Sequence, residues 1–313
     1  MRKHKKPAPL PGRPTLREQI KAKPGLTAVY ITLRALVLVA LVAQFFNGNF
    51  ENVFLCVLTL FLFTLPSFIE RTIRIEIPDT LEVIILLFIF AAEILGEIQA
   101  YYVQFPYWDT MLHTLNGFLC AAIGFSLLDI LNRNEKLAFT LSPVYLAVVA
   151  FCFSMTIGVL WEFFECLMDQ LFLLDMQKDT IVHSIGSVML DPSGGNTPVA
   201  IEDITDVIVV TADGAQHALG LGGYLDIGIL DTMKDLFVNF IGAVVFSVTG
   251  FFYARSRGRR KTPAQSFVPL KKNPEHDYLA QAKEELLEEA KAREEAVREG
   301  EETPPPEERP GQS

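Results

Sequence analysis

The chain is poor in the features that mark a soluble enzyme or a cross-linked secreted domain. It has four cysteines, Cys56, Cys120, Cys152 and Cys166, each in an apolar run and none with paired metal-ligand spacing. They read as small apolar residues of packed or lipid-facing helices, which argues against a disulfide framework or a thiolate metal site. A charge field of one sign is also missing. The formal net charge of −10 divides into a basic stretch over the first 26 residues, a basic knot at 255–261 and an acidic last 40. That division does not suit nucleic acid as a partner. A cleavage site is lacking too, since Lys and Arg persist to Lys23 and no small-residue signal follows the first apolar run. That run is expected to be a retained span.

What the chain does have is apolar length. Half of its residues are hydrophobic and its mean hydropathy is +0.29, although both ends are polar. The excess must lie in the middle. About 20 apolar residues cross a hydrocarbon core roughly 30 Å thick. Six stretches qualify: 26–46, 52–69, 80–101, 108–131, 143–167 and 230–253. The reading is an all-α membrane protein, a six-helix transmembrane bundle. Pro66 is expected to end the second span, and Asp79 with Glu82 has the form of a capping box opening the third.

Orientation follows from Lys and Arg in the loops. Eight residues of the N-terminal arm, Arg71, Arg74, Arg133, Lys136 and five residues of 255–261 fall on one side, against Lys178 and Lys234 on the other. The positive-inside rule makes the rich side cytoplasmic, with both termini there. Arg34 is near enough to that end of the first span to snorkel. The expected domains are a basic arm (1–25), spans one to five (26–172), an extracytoplasmic loop (173–229), span six (230–254) and a cytoplasmic tail (255–313). The loop contains the turn cluster 191–196 and β-branched runs at 181–188 and 207–211, so a small β-rich cap is expected. The tail should be helical over about 277–299 and disordered beyond, with three consecutive prolines.

Ionisable residues inside the spans carry the chemical signal. Glu93 and Glu97 are one turn apart on the third span. Asp109, His113 and Asn116 share a face of the fourth; Glu162, Glu165 and Asp169 share one on the fifth; Asp231, Asp235 and Asn239 share one on the sixth. With the orientation above, all four sets fall in the outer half of the membrane. One acid at the centre of a spanning helix costs on the order of 2.5–3.5 kcal/mol even on a lenient scale. So many acids must face one another, water or a cation. Glu162, Glu165 and Asp169 also approach a helix C-terminus, where the macrodipole is already negative. Either some carboxyls stay protonated, or a cation completes the site.

Simpler explanations compete for single residues. N-capping accounts for Asp109 or Asp231 about as well as chemistry does, His113 alone reads as a satisfied interior histidine, and Asn239 suits helix–helix contact. None of them accounts for the acidic face of the fifth span or for the agreement of four helices in depth. Carboxylates with one imidazole suit Zn, Mn, Fe or Mg, although the spacing is not that of a metalloprotease helix.

At these residues the chain resembles the YjdF-type family of uncharacterised bacterial integral membrane proteins. The resemblance rests on Trp108-Asp109 with His113 and Gly117, on Trp161-Glu162 with Glu165 and Asp169, and on Asp231-Thr232 with Asp235, over about 75–253. More distantly it is similar to VanZ-like proteins, through the Asp-x-x-x-His helix start, the later Glu-bearing helix, and Asp235, Asn239 and Gly242. The VanZ-like arginine before the last helix is missing, so glycopeptide-tolerance roles do not transfer. Neither resemblance implies a reaction; both imply a multi-pass protein of the bacterial cytoplasmic membrane.

Three functions fit these residues. The favoured one is an enzyme acting on a lipid-linked or cell-envelope substrate. Glu162 or Asp235 is then the general base, Asp109, His113, Glu165 and Asp231 hold a divalent metal, and Glu93, Glu97, Asn116, Asp169 and Asn239 support the substrate or the ligands. A proton- or ion-coupled transporter would use the acids as a relay, but the inner halves offer mainly Arg34, Glu82 and Asp129, all near helix ends. A non-catalytic sensor or scaffold would use the outer cap and the tail.

Overall fold

The computed structural model describes residues 23–73, 75–132, 141–256 and 266–271. The expectations for the basic arm over residues 1–22, for Arg74, Arg133 and Lys136, and for the 277–299 tail helix lie outside them.

The chain runs through α1 (Pro24–Phe46), α2 (Phe50–Leu62), α3 (Leu65–Ile73), β1 (Ile75–Glu76), α4 (Asp79–Phe90), a π-helical segment (Ala91–Ile98) and α5 (Tyr101–Gln104). The long helices α6 (Trp108–Asn132), α7 (Pro143–Phe172) and α8 (Ile229–Arg255) follow, with six short strands, β2 to β7, between the last two and β8 (Leu270–Lys271) after them. The protein is mostly helical with small two-stranded sheets. Among the described residues, five helices are long and apolar enough to cross a membrane: Pro24–Phe46, Phe50–Glu70, Trp108–Asn132, Pro143–Phe172 and Ile229–Arg255.

Local sequence explains most helix boundaries. Asn49 accepts from the Asn52 amide to open α2, and Ser142 accepts from the Tyr145 amide ahead of Pro143 in α7. Three boundary expectations are corrected. Pro66 does not end the second span; the break is at Phe63 and Thr64, and Pro66 sits in the first turn of α3, where its missing N–H is harmless. The third apolar stretch is not one α-helix but 12 residues of α4 followed by the eight-residue π-helical segment. Its capping box does not form. Pro78 holds the N-cap position, Asp79 pairs with Lys23 at 2.5 Å, and buried Glu82 accepts from the Tyr30 hydroxyl at 2.7 Å.

α6, α7 and α8 form the densest part of the molecule. α6 and α8 begin at the same end and run parallel, with α7 antiparallel to both. Close approach is made possible by glycine. A Cβ on Gly117 would lie 2.1 Å from the Asn239 carbonyl oxygen, and one on Gly242 would lie 2.0 Å from that of Thr114. Such small-residue seams let membrane helices gain dispersion contact where no hydrophobic driving force separates protein from lipid. Ser154 on α7 donates to the Gly117 carbonyl at 2.7 Å, tying all three helices together. Below this seam lies an apolar core of Ala122, Phe125, Leu146, Ala150 and Phe246. A second core joins α1, α2 and α4 through Val37, Cys56, Phe63 and Leu86.

The excursion between α7 and α8 holds three antiparallel pairs, β2 (Ile181–Val182) with β7 (Tyr224–Leu225), β3 (Ile185–Ser187) with β4 (Val199–Ile201), and β5 (Ile208–Val210) with β6 (Gln216–Ala218). In the 191–196 turn the Asp191 carboxylate accepts from the amide and hydroxyl of Ser193, and Gly194 takes φ +67°.

Candidate functional site

The helix starts of α6 and α8 and the last third of α7 meet at one end of the bundle. Asp109 and His113 lie one turn apart on α6, and the His113 Nε2 is 3.3 Å from Asp109 Oδ1. The other ring nitrogen, Nδ1, faces Glu162 Oε1 of α7 at 3.7 Å. Asp235 of α8 completes the group: one ligand atom from each of Asp109, His113 and Asp235 lies within 4.8 Å of the others. His113, Glu162 and Asp235 are buried.

The electrostatics are unbalanced. Asp109 Oδ2, Glu162 Oε2 and Asp235 Oδ1 are buried without a hydrogen bond of good geometry, although the Glu162 carboxyl lies beside Thr232 and those of Asp109 and Asp235 lie beside each other. Buried acceptors left in that state are costly. One ammonium group compensates in part: Lys234 Nζ is 2.5 Å from Asp231 Oδ1, 3.4 Å from Asp109 Oδ2 and 3.6 Å from Asp235 Oδ1. Lys234 was legible only as a loop-edge charge, because its reach to α6 depends on how the helices pack. Lys178, the basic residue nearest the α7 acids in sequence, turns its ammonium to Asp175 instead.

The remaining acids divide by what holds them. Glu165 is buried and accepts from the Trp161 indole N–H at 2.8 Å. Asp169 accepts from the amides of Met176 and Gln177 at 2.7 and 2.9 Å, clasping the turn that follows α7. Asp231 accepts from the Lys178 amide at 2.9 Å as well as from Lys234. It is not a cap. Gly228 holds the N-cap position of α8 with φ +77°, and Asp226 accepts from the Leu230 amide at 2.8 Å. Asp226 also accepts from Thr180 and Gly228; burial is the largest single influence and pushes its carboxyl upward, but the amides together outweigh it and hold it below its ordinary value.

Asn116 and Asn239 pair with each other, Nδ2 to Oδ1 at 3.2 Å, and Asn239 reaches Met155 of α7. They join helices one turn below the acids. Glu93 and Glu97 fall in the π-helical segment, half-buried and exposed respectively. Neither belongs to the Asp109–His113–Asp235 group. Trp108 anchors that segment to α6 by donating from its indole to the Ala91 carbonyl at 3.3 Å.

Two carboxylates and an imidazole at these separations have the donor chemistry of a divalent-cation site. Ligands about 2.1 Å from a tetrahedral ion lie about 3.4 Å apart; the His113–Asp109 pair is at 3.3 Å, and the set with Asp235 lies within 4.8 Å. With Nε2 turned to that centre, Nδ1 would be free to donate to Glu162, an arrangement that fixes tautomer and ring orientation in metal sites.

No curated protein and no solved structure matches the chain. Residues 29–256 match the family model of the predicted membrane proteins DUF2238, in keeping with the YjdF-type resemblance, and the chain belongs to that family.

Proposed function

We propose that the chain is a multi-pass protein of a bacterial cytoplasmic membrane that holds a divalent cation at the outer end of its helix bundle. The ion serves chemistry on a lipid-linked or cell-envelope substrate. In this reading the composite α4–π segment is a sixth span, both termini are cytoplasmic, and residues 173–229 form an exterior cap. Asp109, His113 and Asp235 are the ligands, Glu162 orients His113, and Lys234 offsets charge beside Asp109, Asp231 and Asp235.

The observation that carries the reading is the trio of buried carboxylate oxygens without hydrogen bonds of good geometry, on three different helices, around one imidazole. Three carboxylates, those of Asp109, Asp231 and Asp235, face one ammonium group, and that of Glu162 lies against the imidazole. A divalent ion reduces that excess and gives these oxygens, two of them otherwise near only the Lys234 ammonium, a closer partner. The ion would supply a Lewis acid and an activated water, and Glu162 and Glu165 stand close enough in sequence and space to handle a proton.

The test is metal content and Mn2+, Zn2+, Fe2+ and Mg2+ binding by the purified full-length protein. Binding near one ion per chain that Asp109→Asn and Asp235→Asn each abolish is the expected result. A protein that binds none of the four ions overturns the reading.

A further inference from the structure

α8 leaves the bundle at Arg255, yet residues 266–271 return into it. The Phe267 ring meets that of Phe118 edge-on at 4.9 Å. Val268 is 1 % exposed and packs in the core of Phe125, Leu146 and Phe246. Phe118 lies ten residues into α6, about 15 Å from its start. Phe246, whose ring is 5.1 Å from that of Phe118, precedes the last residue of α8 by nine positions, about 13 Å of helix. The chain therefore climbs back from the end of α8 to near the middle of the bundle.

Irregular backbone at membrane depth is tolerated only where protein surrounds it and pairs its polar groups. Protein encloses Val268, and the end of the segment is paired. β8 pairs antiparallel with β1, Ile75 opposite Lys271 and Glu76 opposite Leu270. The flanking Ile75 and Ile77 are buried with Leu81 and Leu119. Phe267 packs on both cores, the one built from α6, α7 and α8 and the one built from β1, α4 and α6. It thus fills the seam where these two groups of elements meet.

We infer that residues 266–271 are a plug closing the end of the bundle where α6 and α8 finish, so that the acidic site has a single entrance, at the opposite end. The plug stands on packing and strand pairing; the entrance clause rests on the proposed acidic site. A carrier has to open both ends in turn, whereas an enzyme acting from one leaflet needs one end shut.

Two measurements on the full-length chain in sealed vesicles, with the native cysteines replaced, test this. In E76C/L270C, oxidation should give a within-chain disulfide, and the locked protein should bind Mn2+ as the reduced one does. Absence of the cross-link overturns the plug, and loss of Mn2+ binding on locking overturns the single entrance. In the second measurement, S126C reports access beside Phe125. F267A/V268A should raise its labelling by an impermeant maleimide roughly tenfold or more from the side of Arg255, as expected for loss of a buried aromatic anchor, and leave labelling from the other side unchanged. Unchanged labelling from both sides overturns the proposal. So does an equal rise from both, which would mean that the segment holds the whole fold rather than one end of it. Neither cross-linking nor labelling needs a metal, so a plugged protein that binds no Mn2+ refutes the cation site and leaves the plug standing.

Discussion

The backbone carbonyl of Asn239 occupies the place that a side chain on Gly117 would need. α6 and α8 can approach this closely only because the Cβ is missing, and the Asn116–Asn239 hydrogen bond forms at the same level. Gly117→Ala should force the helices apart or shift them, with a loss of about 1–3 kcal/mol expected for overpacking. Thermal unfolding in detergent measures it. Gly25→Ala is the control, since nothing lies within 4 Å of its added Cβ; its melting temperature should stay the same or rise slightly.

The acids should separate into two groups when replaced one at a time. Asp109→Asn, His113→Ala and Asp235→Asn should each abolish Mn2+ binding, read by calorimetry or by the Mn2+ spin signal. Glu162→Gln should weaken it by about 10–100-fold, the usual effect of removing the partner that orients a ligating histidine. Asp169→Asn should leave Mn2+ affinity within about twofold but speed proteolysis between α7 and β2, because it loosens the amides of Met176 and Gln177.

Tyr30 makes a second, partly buried polar link, from α1 to Glu82 of α4. Tyr30→Phe leaves that carboxylate oxygen without its donor, and should cost about 1–3 kcal/mol. The same change should leave Mn2+ binding untouched, since the α1–α4 contact belongs to a different core.

Acid should loosen the loop where it enters α8. The Asp226 carboxyl is held below its ordinary value of 3.8 by the amides of Thr180, Gly228 and Leu230. A group with a depressed value contributes its full stabilisation above the unfolded value and loses it as pH falls through the folded one. Protease resistance of the loop should therefore be flat from neutral pH down to about 4 and decline below that, as the carboxylate is protonated. Asp226→Asn should be less resistant at neutral pH and should lack this part of the acid transition.

Long apolar runs made the membrane character and most helix positions readable, because lipid exposure demands continuous hydrophobicity whatever the tertiary packing. Helical spacing likewise put Asp109 and His113 on one face of α6, Glu162 and Glu165 on one face of α7, and Asp235 and Asn239 on one face of α8. The rest depended on distances that sequence does not encode. That loop amides hold Asp169, and that one of them holds Asp231 while Lys234 takes its other oxygen, is not visible in spacing. Lys234 is i+3 from Asp231, but its approach to Asp109 on another helix exists only through the glycine seam. The π-helical turn left no trace in apolar composition. The returning segment did leave one, the apolar Phe267-Val268-Pro269-Leu270 between a basic knot and an acidic tail, too short to be distinguished from ordinary linker.

The neck of the excursion between α7 and α8 has a consequence for how such proteins can vary. Ile181 sits opposite Leu225 and Val182 opposite Tyr224, while Thr180 and Asp226 bond each other through backbone and side chain. Everything between Val182 and Tyr224 therefore hangs from a closed stem whose geometry does not depend on what it carries. Relatives could lengthen, shorten or exchange this appendage without disturbing the spacing of α7 and α8, and a tight hairpin turn grafted across the stem should yield a miniature chain with its helices unmoved.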